Sequence, residues 1–146
     1  MNIHKATMEN LEGIATLFNH YRMFYRQESN VEGAKAFLRD RIENEESVIF
    51  VALQDGEYVG FTQLYPSFSS ISMKRLWILN DLFVHENSRG TGVGKRLLEA
   101  AKQFASENGA KGLKLQTEVD NITAQRLYAE NGYMRDSHYY HYELTL

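Results

Sequence analysis

The sequence predicts an α+β chain, a mixed α/β arrangement in three layers with helices on both faces of one sheet. Three observations carry this. Segments of helical period and short β-branched runs follow one another in the order βααβββαβαβ. The pair Asp55-Gly56 separates two apolar runs and joins them as a hairpin, so part of the sheet is antiparallel. A helix then separates two further strands, Lys74–Val84 and Gly112–Glu118, and that crossover makes those two parallel.

Taken in order, "IHKA" opens as a short strand and Thr7 is placed to cap the helix after it. Leu11, Ile14, Ala15, Phe18 and Tyr21 recur at helical spacing, and "YRMFYRQESN" breaks the pattern. Ser29 and Glu32 form a capping box for a second helix that turns Ala34, Phe37, Leu38 and Ile42 inward. "SVIFVALQ" and "EYVGFTQLY" are the hairpin strands, "PSFSS" reads as a loop, and a long strand runs from Lys74 to Val84. The next helix carries Val93, Leu97, Leu98, Ala101 and Phe104 on one face and closes at Asn108-Gly109. "KGLKLQTEV" is a further strand, Asn121 caps a shorter helix ended by Gly132, and the alternating tail "YMRDSHYYHYELTL" predicts one or two final strands.

Composition narrows the classes of function. A chain of 146 residues with 43% apolar and 24% charged residues suits a single soluble domain spanning 1–146. The absence of cysteine excludes disulfides, thiolate metal ligands and a cysteine nucleophile. A net charge of −3 argues against a general polyanion-binding face, so no nucleic-acid partner is expected. "MNIHKATMENLEG" has no apolar core of a leader, and no run reaches the length of a membrane span, so a cytoplasmic location without membrane attachment is expected. The five histidines offer no metal site, because His138 and His141 fall on opposite faces of the predicted terminal strand.

"HENSRGTGVGKRLL" places glycines at 90, 92 and 94 between Arg89 and Lys95, directly before an amphipathic helix. Amides at a helix start have no intrahelical partner and sit at the positive end of the helix dipole. Glycines leading into them let an anion approach the backbone without a Cβ in the way, and Arg89 and Lys95 add charge on either side. The chemistry implied is a bound phosphate or pyrophosphate. A Walker loop fails, because Gly94-Lys95 is followed by Arg96 and position 89 is arginine. A dinucleotide fingerprint fails, because the glycines are spaced G-x-G-x-G.

What remains is R-x-x-G-x-G at a strand-to-helix turn, and here "NDLFVHENSRGTGVGKRLLEAA" resembles motif A of the GNAT superfamily of N-acetyltransferases. Thirty residues on, "NITAQRLYAENGY" is similar to the superfamily's second signature at Asn121, Ala124, Leu127, Tyr128, Gly132 and Tyr133. The resemblance implies a mixed, mostly antiparallel central sheet whose two central parallel strands splay apart at a bulge. It implies acetyl-CoA as co-substrate, with the backbone of Leu82, Phe83 and Val84 pairing the pantetheine arm. Gly90, Thr91, Gly92, Val93, Gly94 and Lys95 would face the pyrophosphate, with Arg89 as flanking charge. Asn121 would cap its helix and touch the cofactor arm.

Tyr128 is assigned the chemistry. When an amine attacks the thioester, the thiolate that leaves needs a proton, and a tyrosine of ordinary pKa near ~10 still holds one at neutral pH. An alkyl ammonium, of pKa near ~10.4, must first lose its own proton. Polyamine enzymes of the superfamily associate a glutamate with that step at the position held here by Asn80, which cannot take a proton. Alternation along a strand would turn the neighbouring Asp81 to the opposite face, and Glu118 is a further candidate. The acceptor is expected among the variable segments, with Tyr21, Tyr25, Glu28, Tyr65 and Phe68 as an aromatic wall bearing a carboxylate, or Arg22 and Arg26 gripping a substrate carboxylate. The resemblance thus implies an acetyl-CoA-dependent N-acetyltransferase acting on a small primary amine, and a homodimer. The alternatives are an acetyltransferase for lysine or N-terminal amines of proteins, and an acyl-CoA-binding sensor without turnover.

Overall fold

A computed structural model describes residues 1–146, which divide into two units, Met1–Gln116 and Thr117–Leu146. The first unit is built on β1 (Asn2–Lys5), α1 (Leu11–Phe24), α2 (Val31–Glu43), β2 (Val48–Gln54), β3 (Glu57–Ser69), β4 (Lys74–Val84), α3 (Val93–Glu107) and β5 (Leu113–Lys114). The strands lie in sequence order, antiparallel from β1 to β4, with β4 and β5 parallel. Asp55 and Gly56 both have positive φ, +53° and +81°, the backbone that a tight two-residue hairpin needs.

The two faces of this sheet are covered by different helices. Leu11, Ile14 and Phe18 of α1 and Ala34 and Leu38 of α2 pack with Ile49, Val51, Phe61 and Phe83. Burial of a side chain such as Ile14 or Leu38 is worth about 1.5–3 kcal/mol. On the other face, Phe104 of α3 meets Phe50 and Trp77 edge-on at 5.8 and 5.2 Å. Gly60 of β3 lies beneath α3, where a Cβ would come within 3.0 Å of Val93 and 3.2 Å of Leu97.

Several local expectations are corrected. The cap of α2 is Asn30, whose Oδ1 accepts from the Gly33 amide at 2.9 Å, and not Ser29. The reason is the buried Asn19, whose Nδ2 donates to Ser29 Oγ and whose Oδ1 accepts from the Asn30 amide. Phe37 is not buried; it is 40% exposed, stacked on Phe18 and covered by the Arg41 guanidinium. "PSFSS" is no loop, since β3 continues to Ser69 with Pro66 opposite Trp77. β2 begins at Val48, opposite Leu64, so beyond that point β3 has only β4 beside it and tolerates a residue without an amide hydrogen. β5 is two residues long and not seven, so Glu118 lies outside any strand.

The second unit holds α4 (Ile122–Glu130). Asn121 caps it, its Oδ1 accepting from the Ala124 amide at 3.1 Å, and Gly132 ends it with φ of +92°. The expected terminal strands are not formed: residues 133–146 contain no helix or strand, and this unit holds no other strand for them to pair with. His138 and His141 therefore do not diverge across a pleat. The Asp136 carboxylate accepts the His138 amide at 2.8 Å and lies 3.4 Å from His141 Nε2.

Candidate active site

β4 is where the site in the first unit is assembled. Its register against β3 slips between Gln63 and Leu64: Gln63 faces Asp81 while Leu64 faces Leu79. Asn80 is the extra residue, a β-bulge. Odd-numbered side chains consequently change sides along the strand. Trp77 packs on Phe104 of α3, whereas Asp81 is hydrogen-bonded by Tyr21 of α1 and Phe83 packs against the same tyrosine at 5.9 Å. The expectation that Asp81 turns away from Asn80 is thereby overturned, because Asn80 Nδ2 donates to Asp81 Oδ1 at 3.2 Å.

Asp81 is 5% exposed and well supplied with donors. Gln63 Nε2 donates to its Oδ2 at 2.8 Å, and Ser47 Oγ in turn donates to Gln63 Oε1 at 2.8 Å. Burial raises the Asp81 carboxyl above the usual carboxylate range, and the Gln63, Tyr21 and Asn80 donors oppose that rise. Tyr65 is pushed up to about 12, by burial first and then by the nearby Asp81 carboxylate, with Arg41 opposing. A carboxyl raised by folding keeps its proton in the native state over a window where the unfolded chain has already lost it. Stability therefore falls as pH rises through that window and levels off above it. In Asp81→Asn, where the Gln63 amide can turn over to keep its partners, urea unfolding should show the variant gaining on the wild type as pH rises above the ordinary carboxylate value of about 4. A stability difference that does not change with pH would contradict this origin of the Asp81 environment.

Past the bulge, β4 has β3 on one side only, since β5 pairs with Trp77 and Ile78 and goes no further. The main chain of Leu79–Val84, including Leu82, Phe83 and Val84, thus runs along an edge without a second strand. His85 then caps a short 3₁₀ turn, Glu86–Ser88, its Nδ1 accepting from the Asn87 amide. Arg89 is extended, Gly90 and Gly92 have φ of +76° and +88°, and Gly92 is the cap of α3. A Cβ built on either glycine would meet no atom within 4 Å. Packing in this chain therefore does not require glycine at 90 or 92; the left-handed backbone does, and so does anything brought up to it. The first turn of α3 offers the amides of Val93, Gly94 and Lys95, which have no place in the helix ladder. The Thr91 hydroxyl is folded back onto the Ser88 carbonyl.

The acceptor-side residues divide. Tyr21 is stacked edge-on with Tyr25, Phe61 and Phe83, all within 6 Å. Tyr25 closes α1 and is 37% exposed. The Glu28 side chain is exposed, and it is its carbonyl that takes part, accepting from Arg22 Nη1 at 3.2 Å. Arg22 thus closes its own loop. In the second unit, Asn121 and Tyr128 lie on α4 and its cap, Glu118 is exposed in the turn before it, and Tyr128 sits 5.8 Å from Tyr133. The Tyr133 hydroxyl is buried without a hydrogen-bond partner, and burial pushes it up to about 12. The resemblance implied a bulge at the central parallel strands without placing it, and the Ser47–Gln63–Asp81 chain was missed by sequence reasoning; the polar residues of "TQL" and "LND" inside otherwise apolar strands were the available signal.

Residues 14–133 match the acetyltransferase (GNAT) family. The chain is 56% identical to an uncharacterized N-acetyltransferase, YhfO, of Bacillus subtilis over 146 residues, which cover 100% of this chain and 98% of that protein. It is 38% identical to a probable acetyltransferase of Haemophilus influenzae over 105 residues, 71% of this chain and 72% of the relative. A crystal structure of a probable acetyltransferase superposes with a TM-score of 0.95 at 45% identity, covering 100% of this chain and 98% of that one. No helix is long and apolar enough to cross a membrane.

Proposed function

This chain belongs to the acetyltransferase (GNAT) family and is an N-acetyltransferase, and on that premise we propose that it moves the acetyl group of acetyl-CoA to the primary amine of a small molecule by direct attack in a ternary complex. The GNAT family uses acetyl-CoA. The observation that carries the reading is the run from an unpartnered edge of β4 through two left-handed, sterically open glycines into the free amides of α3. An extended amide-bearing arm fits the first part and a pyrophosphate the second. When bound, acetyl-CoA supplies an activated thioester.

In this reading the backbone of Leu82, Phe83 and Val84 holds the arm, and Gly90–Lys95 holds the pyrophosphate. Asn80, exposed and anchored by Asp81, meets the acceptor nitrogen as a hydrogen-bond acceptor. Tyr128 gives the departing sulfur its proton, and the proton shed by the acceptor nitrogen passes to water. A small acceptor is supported by relatives named for small amines, a streptothricin acetyltransferase of Escherichia coli and an aminoalkylphosphonate N-acetyltransferase of Salmonella typhimurium. Tyr21 and Tyr65 beside Asp81, with Tyr25 stacked on Tyr21, favour a cationic amine over an acidic one.

The test is free-thiol release from acetyl-CoA with purified protein against polyamines, amino acids, aminoglycosides and lysine peptides. Turnover on a small amine, with the peptides inert, is the expected result. Turnover on the peptides alone would replace the acceptor class. Binding of acetyl-CoA with no turnover on any of the four would leave a sensor, and no binding would remove the cofactor reading as well.

A further inference from the structure

Arg89, expected as a flanking charge beside the pyrophosphate, also has partners within the protein. Its Nε donates to the Val84 carbonyl at 3.0 Å, back along the chain. Its guanidinium lies over the Phe24 ring at 5.4 Å and the Phe83 ring at 5.7 Å. Phe24 is the last residue of α1, and Phe83 belongs to the core shared by α1, α2 and the sheet. The same two segments meet again one turn earlier, where the His20 and His85 rings stand 5.8 Å apart. Phe24 is 55% exposed, with the guanidinium and the neighbouring Tyr25 ring against it.

The end of α1 also leads directly into the acceptor-side loop. Tyr25 stacks on Phe24 and Tyr21 at 5.2 Å each, Arg26 takes a positive φ of +66°, and Arg22 closes the loop onto the Glu28 carbonyl. A planar guanidinium can bond through Nε and cover two rings at once, whereas an ammonium is a point charge and cannot do both. We propose that Arg89 is a positioning residue that clamps the last turn of α1 to the phosphate-binding loop, so that the loop holding the cofactor and the loop facing the acceptor respond to each other. Only the cofactor half of this rests on the acetyl-CoA reading above; the clamp is a property of the free protein.

Two measurements on wild type, Arg89→Lys and Arg89→Gln decide it: hydrogen exchange of the amides of residues 21–26, and calorimetric titration with acetyl-CoA. In the free protein, exchange there should quicken by about tenfold in both variants alike, because both lose the clamp although one keeps the charge. In the wild type acetyl-CoA should slow this exchange, and in both variants that effect should vanish while the acetyl-CoA Kd rises by less than about threefold. Unchanged exchange at 21–26 in Arg89→Gln overturns the clamp. So does retention of the acetyl-CoA effect in Arg89→Lys with a Kd raised more than about tenfold in Arg89→Gln, which is the behaviour of a phosphate ligand. If the wild type binds no acetyl-CoA, the cofactor reading fails and with it the coupling; free-protein exchange then judges the clamp alone.

Discussion

Tyr128→Phe is expected to lower kcat by about a hundredfold or more and to leave the KM for acetyl-CoA within about twofold, because positioned proton transfer contributes roughly 10²–10⁴ in rate. The substitution removes one oxygen and keeps the ring. The contact with Tyr133 at 5.8 Å and the cap of α4 by Asn121 are both independent of that oxygen, so α4 should remain folded. A thiolate leaving without a proton donor makes breakage of the carbon–sulfur bond the slow step, which places the loss in kcat and not in binding. Steady-state kinetics with whichever amine turns over measures it. A kcat within about twofold of wild type would take the acid role from Tyr128.

Gly92→Val is the second large effect, and it is expected on binding. The φ of +88° costs a β-branched residue roughly 1–3 kcal/mol, although its Cβ meets nothing in the protein. The control Gly56→Val, at +81° and equally open, imposes the same kind of strain in the hairpin turn, far in sequence from the phosphate loop. Both variants should therefore lower Tm by several degrees, while only Gly92→Val should raise the acetyl-CoA Kd, by tenfold or more (about 1.4 kcal/mol). Paired thermal denaturation and titration separate the two contributions. Equal weakening of binding in both would mean that general destabilisation, and not the approach of an anion to the α3 amides, is the cause.

How much of the fold and the site is legible in the amino-acid sequence depends on whether a local signal has a competitor. β4 runs from Lys74 to Val84 as its apolar run predicts, and Asp55-Gly56 makes the turn its chemistry demands. α3 buries Val93, Leu97, Leu98 and Ala101, as its period requires. Ser29 lost the cap of α2 because Asn19, ten residues away, competes for its hydroxyl, and no window on the sequence contains that contact. Pro66 looked like a strand end until the shortness of β2 left it a neighbourless side. The tail alternates like a strand, but a strand is defined by what it pairs with, and residues 133–146 find no ladder within their unit. The place of the bulge was the least legible of all. Apart from the Asn80-Asp81 pair, "WILNDLFV" is apolar on both sides of the slip, so it shows polar residues inside the strand but not the change of face. At the site, the glycines and Arg89 stood out by spacing alone, while the direction in which Arg89 points required the aromatic rings it covers.

The extra residue at 80 behaves toward β4 as a one-letter insertion behaves toward a reading frame. Upstream of it the odd-numbered side chains are read by α3, and downstream by α1. A pattern of tolerated substitutions along this strand should then break phase at Asn80, with the two halves free to drift under separate demands. Deleting that single residue would do more than shorten a loop. It would merge the two frames into one unbroken ladder, with Asp81 and Phe83 still toward α1, and remove the bulge and the Asn80–Asp81 contact with one edit.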